Sequence, residues 1–303
     1  MSMSKPFQTA GGLPTMLRKR MTDARNPRLA ALVGEAIACF DHLAQSNRIS
    51  RSELASLIQF LTEVGYACDS NRQEWVLLAD ALGITSLVEA LNAPRPAEAT
   101  PNTIQGPFYR SGVPVMAHGT NIAQVAAGVP LDVSVTIRDL AGKTVTGALL
   151  EVWQANHEGL YENQDPDNQP DLNLRGAFLT GKDGLVHFRT IRPKGYSLPS
   201  DGPVGRLLSA LGLPMRRPAH LHFRVTARGF EDLVTHVFDA EDAATGTDAL
   251  FAEDPRLQTR FLPVEETGPG LRLDWMLVLT PERWEAKGDA GAPQSAPTRR
   301  RAK

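Results

Sequence analysis

Two hydrophobic periods divide the chain. From Asn26-Pro27, an N-cap and first-turn pair, Leu29, Leu32, Val33, Ala36, Ile37 and Phe40 recur every three or four residues, which predicts an amphipathic helix. Ser50-Arg51-Ser52-Glu53 has the form of a capping box, and Leu54, Leu57, Ile58, Leu61 and Val64 follow it on one face. A third helix is predicted from about Arg72 to Leu82 with Gly83 as its stop, and a fourth from Thr85 to about Asn92. Residues 1 to about 25 carry glycines, prolines and scattered basic side chains without a period, and read as an arm. The apolar faces are too broad for a solvated bundle, so they are expected to meet the rest of the chain and another subunit; the alternative is that they pack only on each other.

Beyond the proline-punctuated connector Ala93 to Pro101, the period becomes two. Leu131, Val133, Val135 and Ile137 alternate, and Leu149 to Trp153 form the next apolar run. Gly176 to Thr180 and Leu185 to Ile191 flank Lys182-Asp183-Gly184, a hairpin signal. Ala219 to Val225, Leu233 to Phe238 and the alternating Leu271 to Leu279 complete a set of short strands. The fold class expected is mainly β with an α-helical N-terminal region. Its parts are a helical domain over 1–101, a β-sandwich domain over 102–284 and a disordered tail over 285–303. Pro199 to Pro214 and Ala240 to Pro269 read as long loops, of the kind that build a site on a rigid sandwich.

Composition narrows the function classes. A net charge of -2 gives no broad attraction to nucleic acid, and no apolar run approaches the ~20 residues of a membrane helix. A cytoplasmic protein is expected. Cys39 and Cys68 sit among apolar residues in helical patterns and are expected to be small buried side chains, without a disulfide.

The chemistry concentrates in Arg217-Pro-Ala-His-Leu-His-Phe223. As a strand this places His220 and His222 on one face, with Leu221 and Phe223 on the other. Upstream, Tyr161 follows Glu151-Val-Trp-Gln-Ala-Asn-His-Glu-Gly-Leu, and Tyr196 ends Arg189-Thr-Ile-Arg-Pro-Lys-Gly-Tyr196; both are Gly-flanked, in a chain with four tyrosines. Two phenolates and two imidazoles make a hard, anionic donor set that favours Fe(III) over Fe(II) or Zn(II), because a trivalent cation displaces the phenol proton. Arg217 lies close enough to place a fixed cation beside such a site, or else forms a surface salt bridge. His157 and His187 read as surface or turn residues, and His236 as a neighbour of the His pair on the next strand.

The ordered segments ending in Tyr161 and Tyr196, followed by Arg217-Pro-Ala-His220-Leu-His222, resemble the intradiol ring-cleavage dioxygenases over roughly residues 25 to 280. That resemblance implies a non-haem Fe(III) enzyme that opens an aromatic diol with O2. Tyr161, Tyr196, His220 and His222 match its metal ligands, and the phenol matching Tyr196 leaves the metal and receives a substrate proton. It also implies a homodimer through the N-terminal helices, with room for a lipid at that interface.

The substrate pocket, by the same resemblance, is lined by Leu77, Asp80, Ile104, Gly106, Pro107, Phe108, Leu198, Pro199, Arg217 and Leu250. Asp80 matches an aspartate of the hydroxyquinol-cleaving branch, where catechol-cleaving members resemble one another in having a proline. Phe108 points the same way, whereas Tyr109 resembles the catechol branch. Two other readings stay open on the residues alone, a metal-free β-sandwich binding module and a zinc hydrolase. The hydrolase lacks a general-base glutamate beside the His pair.

Overall fold

A computed structural model describes residues 12–69, 72–264 and 270–282. The start of the predicted arm and the predicted tail lie outside them. The chain divides into two compact units, 1–66 and 67–303. The first holds α1 (Gly12–Arg20), α2 (Pro27–Asn47) and α3 (Arg51–Tyr66). Asn26 caps α2 by accepting from the Leu29 amide, and Pro27 occupies its first turn. At the start of α3 the capping box is closed reciprocally: Glu53 N donates to Ser50 Oγ at 3.2 Å, and Ser50 N to Glu53 Oε2 at 2.7 Å.

Helix α1 departs from the expected arm. Its apolar stripe is only Leu13, Met16 and Leu17 ahead of Arg18-Lys19-Arg20, and it is held against α2 where Gly34 is buried beneath Arg18 and Met21, with Arg18 paired to Glu35. The cysteines also differ from expectation, since Cys39 is exposed and Cys68 half-buried. The apolar side of α2 is itself open, with Leu29 and Leu32 more than half exposed, so an apolar neighbourhood in sequence does not mean burial there.

The second unit carries α4 (Glu74–Ala81) and α5 (Ile84–Asn92), joined through Gly83 in the left-handed region at φ 73°. The β elements follow as β1 (Pro130–Asp139), β2 (Leu149–Gln154), β3 (Arg175–Leu179), β4 (Leu185–Ile191) and β5 (Tyr196–Ser197). Next come α6 (Pro203–Leu211), β6 (Arg216–Arg217), β7 (His220–Thr226), β8 (Leu233–Asp239), β9 (Gln258–Thr259), β10 (Leu262–Pro263) and β11 (Leu271–Leu279). One sheet has the order β10-β11-β1-β4, the other β3-β2-β7-β8-β9, and β5 and β6 form a separate two-stranded ribbon. The two sheets enclose one core, where Val133, Val135 and Ile137 of β1 meet Leu150, Val152, Phe223 and Val225 of the facing sheet. Each such buried side chain contributes about 1.5–3 kcal/mol. The expected sandwich, preceded by helices, is what the chain forms.

Two local readings change. Lys182-Asp183-Gly184 does not close a hairpin, because β3 pairs with β2 and β4 pairs with β1, so this turn carries the chain from one sheet to the other. Turn chemistry specifies a reversal but not which partner each strand takes. The predicted loop from Pro199 to Pro214 contains α6, with Pro203 at its start and Gly212 as a left-handed C-cap at φ 64°. Among the described residues, no helix is long and apolar enough to cross a membrane.

Candidate metal centre

Strand β7 turns Leu221, Phe223 and Val225 into the core and His220 and His222 to the opposite face. Register then fixes their neighbours. Trp153 of β2 and His236 of β8 flank His222 directly, so three aromatic rings run in a row across adjacent strands. Trp153 stacks on His222 with centroids 4.6 Å apart, and His236 lies 4.1 Å beyond. On the ribbon, Tyr196 pairs with Arg217, which brings the second tyrosine to the same face.

Tyr161 arrives on the connection after β2. Asn156 shapes that connection by accepting the Glu158 and Leu160 amides, and Gln164 accepts the Tyr161 amide. Glu162, next in the chain, receives Arg175 at 2.7 and 2.8 Å; Arg175 also donates to the Phe108 carbonyl, and the Phe108 ring stacks on Tyr161 at 4.2 Å. The two tyrosine loops meet because glycines leave space. A Cβ on Gly195 lies 2.6 Å from the Arg217 carbonyl oxygen, and one on Gly159 lies 3.1 Å from Tyr196 Cβ. Side chains there push backbone against backbone.

The four rings close a circuit. Centroid separations are 6.4 Å from Tyr161 to His222, 4.8 Å from His222 to His220, 5.7 Å from His220 to Tyr196 and 5.9 Å from Tyr196 back to Tyr161. His220 Nδ1 donates to the Pro218 carbonyl at 2.6 Å, leaving Nε2 as the lone-pair nitrogen that faces His222 Nε2 at 3.2 Å. Two ligands at about 2.1 Å from one ion, at tetrahedral to octahedral angles, stand roughly 3.0–3.4 Å apart. Among the described residues, Tyr161 Oη is buried without a well-formed hydrogen bond, an arrangement that costs about 1–3 kcal/mol unless something occupies the space before it. These residues fit a metal ion that takes oxygen and nitrogen donors.

Electrostatics agree with that fit. Burial, reinforced by the Arg217 charge, lowers the His220 pKa to about 3, and burial holds His222 and His236 well below the ordinary range. All three imidazoles are neutral at pH 7 and available as donors. Burial also keeps the Tyr161 phenol well above its ordinary value, so in the metal-free site it holds its proton. A cation is what displaces it.

A second grouping shares two of these residues: the donor nitrogens of His220, His222 and His236 lie within 4.8 Å of one another. His236 is otherwise engaged, with Nδ1 2.5 Å from Thr103 Oγ1 and Nε2 3.4 Å from Arg217 Nη2. Arg217 is nearly sealed from solvent and forms a buried, bidentate pair with Asp248 at 3.0 and 3.1 Å, so its partner is not at the surface as one reading had it. Its remaining nitrogen, Nη1, lies 3.5 Å from both Tyr196 Oη and His220 Nε2.

Of the other predicted pocket residues, Asp80, Ile104, Leu198 and Leu250 are buried, while Leu77, Gly106 and Phe108 are half-buried. Gly106, at φ 72°, lies beside the His222 ring, where a Cβ would make ordinary contact with Cε1 at 3.6 Å. Pro107 and Pro199 are exposed. Among the described residues, Asp80 Oδ1 is buried without a hydrogen-bond partner; burial raises the Asp80 pKa, opposed by the Thr85 hydroxyl and the Arg217 charge. Tyr109 spends its hydroxyl on Glu151 and Arg224 at 2.9–3.2 Å. His157 is exposed, and His187 lies partly exposed on β4. Asp248 and the Glu162–Arg175 pair escape sequence reasoning, since nothing local marks a lone carboxylate as the partner of an arginine 31 residues away.

Comparison with known proteins places this geometry. A family model described as "Dioxygenase" matches residues 104–281, and one described as "Catechol dioxygenase N terminus" matches residues 26–100. The chain is 43% identical over 247 residues to a hydroxyquinol 1,2-dioxygenase of Rhizobium sp. (strain MTP-10005), covering 82% of this chain and 84% of that one. It is 38% identical over 262 residues to a 6-chlorohydroxyquinol 1,2-dioxygenase of Cupriavidus pinatubonensis, covering 86% and 94%. A solved structure of hydroxyquinol 1,2-dioxygenase from Pseudomonas putida DLL-E4 superposes with a TM-score of 0.84 at 35% identity, covering 89% of this chain and 98% of that one. The chain belongs to the intradiol ring-cleavage dioxygenases.

Proposed function

We propose that this enzyme, from a family dependent on non-haem iron, holds Fe(III) through Tyr161, Tyr196, His220 and His222. Its aromatic diol is hydroxyquinol (benzene-1,2,4-triol), opened with O2 between the two vicinal hydroxyl-bearing carbons to 3-hydroxy-cis,cis-muconate, which tautomerises to maleylacetate. Iron held there would supply Lewis acidity that lowers the pKa of the diol hydroxyls, leaving the ring electron-rich toward O2. The protein's own residues do the rest. Tyr161 is fixed by Phe108 and sealed from water, whereas Tyr196 is half-buried on a short ribbon. Tyr196 is therefore the phenol with room to receive a substrate proton. Arg217 Nη1, already facing Tyr196 Oη and His220 Nε2, supplies a fixed positive charge where negative charge accumulates on the bound diol.

The choice of hydroxyquinol rests on Asp80. A buried carboxylate oxygen without a partner accepts the third hydroxyl, and plain catechol leaves it orphaned. The relatives named for hydroxyquinol agree. Catechol, the runner-up, drew on Tyr109, whose hydroxyl is committed to Glu151 and Arg224. Asp80→Ala is expected to lower kcat/KM for hydroxyquinol by roughly 5- to 150-fold, which is ~1–3 kcal/mol, and to leave catechol turnover level or raised. Steady-state kinetics on both substrates checks this; equal losses, or a wild-type enzyme faster on catechol, point to the runner-up.

The same reading includes a cytoplasmic homodimer formed through the N-terminal helices, with a lipid filling gaps between apolar faces. Its support is the exposure of Leu29, Leu32, Leu54, Leu57 and Ile58 in the single chain, a surface large enough to require cover. Light scattering is expected to give twice the chain mass at micromolar concentration, and a monomer contradicts it.

A further inference from the structure

The buried carboxylate of Asp248 does more than neutralise Arg217. Its Oδ1 accepts from Arg217 Nε at 3.0 Å and from the Leu250 amide at 3.3 Å; its Oδ2 accepts from Arg217 Nη2 at 3.1 Å and from the Ala252 amide at 3.2 Å. One side chain thus joins the segment carrying Leu250 to the guanidinium. The segment is itself anchored: Ala249 N donates to the Arg216 carbonyl, Asp248 N to Glu253 Oε2, and Ser86 Oγ to the Leu250 carbonyl. Nε and Nη2 are taken by the carboxylate, with Nη2 also 3.4 Å from His236 Nε2, and the Nη1 edge faces Tyr196 Oη and His220 Nε2.

We propose that Asp248 is a positioning residue that aims Arg217 at Tyr196 and couples that aim to the wall segment at Leu250. The proposal rests on the reading of Tyr196 as an iron ligand. Asp248 touches neither iron nor substrate; it acts through Arg217. A lysine at position 217 keeps the charge but loses the fork, so geometry, and not charge alone, is what Asp248 fixes. Bidentate pairing holds the guanidinium plane to one orientation, and the backbone amides hold the carboxylate to one rotamer.

The test is the colour of the iron-loaded protein, because a nearby cation lowers the energy of phenolate electrons and so raises the energy of the phenolate-to-iron transition. Asp248→Asn keeps an acceptor for the Leu250 or Ala252 amide but loses the charged bidentate partner. If Arg217 then swings away, the band moves to longer wavelength, as it does in Arg217→Gln, and kcat falls about tenfold while KM changes less than about threefold. The Asp248→Asn/Arg217→Gln double variant should then show nearly the band position of Arg217→Gln alone, because the carboxylate acts on Tyr196 through the guanidinium; a further shift of the same size as that of Asp248→Asn alone overturns the proposal.

A band unmoved, or moved to shorter wavelength because Arg217 stays in place with its countercharge removed, overturns the proposal even if the variant is less stable. Should the asparagine variant fail to fold, an iron-loaded wild-type crystal structure decides: Arg217 Nη1 turned away from Tyr196 Oη overturns the proposal. A wild-type protein loaded with iron but lacking any phenolate band brings down the ligand reading itself, a result separate from an unshifted band in the variant.

Discussion

Tyr161→Phe is expected to give a stable, iron-poor protein with kcat/KM reduced by at least about a thousandfold, or ~4 kcal/mol. The two halves of this result come from different observations. The ring stays because its packing does not need the hydroxyl: it stacks on Phe108 at 4.2 Å and meets Tyr196 edge-on at 5.9 Å. Among the described residues the hydroxyl is buried without a well-formed hydrogen bond, so little is lost with it, and the metal-free variant is expected to be as stable as wild type or more stable by up to about 1–3 kcal/mol. Iron binding weakens because one of two anionic donors is gone from a site that burial otherwise keeps neutral. Iron analysis and urea unfolding of the metal-free forms check both halves. Full iron occupancy in the phenylalanine variant contradicts the ligand role.

Arg217→Met is expected to be the most destabilising single change at the site, by about 3–5 kcal/mol, because it leaves Asp248 buried and unpaired. Burial by itself pushes the Asp248 pKa up, but Arg217 alongside holds it below the ordinary carboxylate range. In the variant that support is gone. The melting temperature falls by roughly 2–4 °C for each kcal/mol in a unit of this size. Replacing both partners, as Arg217→Met with Asp248→Asn, is expected to restore part of the loss without restoring activity, since it removes the orphaned charge and keeps an acceptor for only one of the Leu250 and Ala252 amides. Denaturant melts of the single and double variants measure this, and a single variant within about 1 kcal/mol of wild type contradicts it.

How much of this was legible in the sequence depended on whether the signal was local. The alternation of Leu131, Val133, Val135 and Ile137 and the parity of His220 and His222 are consequences of a two-residue period, and each appears on the expected face. The capping box at Ser50 and the stop at Gly83 are equally local. Sheet membership is not: the turn at Lys182-Asp183-Gly184 looks like a hairpin, and only pairing of β3 with β2 and β4 with β1 shows the crossover. Helix α1 shows only a short apolar stripe ahead of Arg18-Lys19-Arg20, whereas α6 is legible inside the segment read as a loop, with Val204, Leu207, Leu208 and Leu211 at helical spacing between Pro203 and Gly212.

At the site, the four rings came from spaced motifs through their resemblance to a family, while their supports came from pairing register and long-range charge. His236 stands beside His222 because β8 pairs with β7, and Trp153 because β2 does. Neither Asp248 nor the Glu162–Arg175 pair leaves a trace near the residues it holds.

The most direct measurement is anomalous diffraction at the iron edge from crystals of the iron-loaded protein. One peak is expected, at about 2.1 Å from each of Tyr161 Oη, Tyr196 Oη, His220 Nε2 and His222 Nε2. A peak held instead by His220, His222 and His236, with both phenols turned away, contradicts the account.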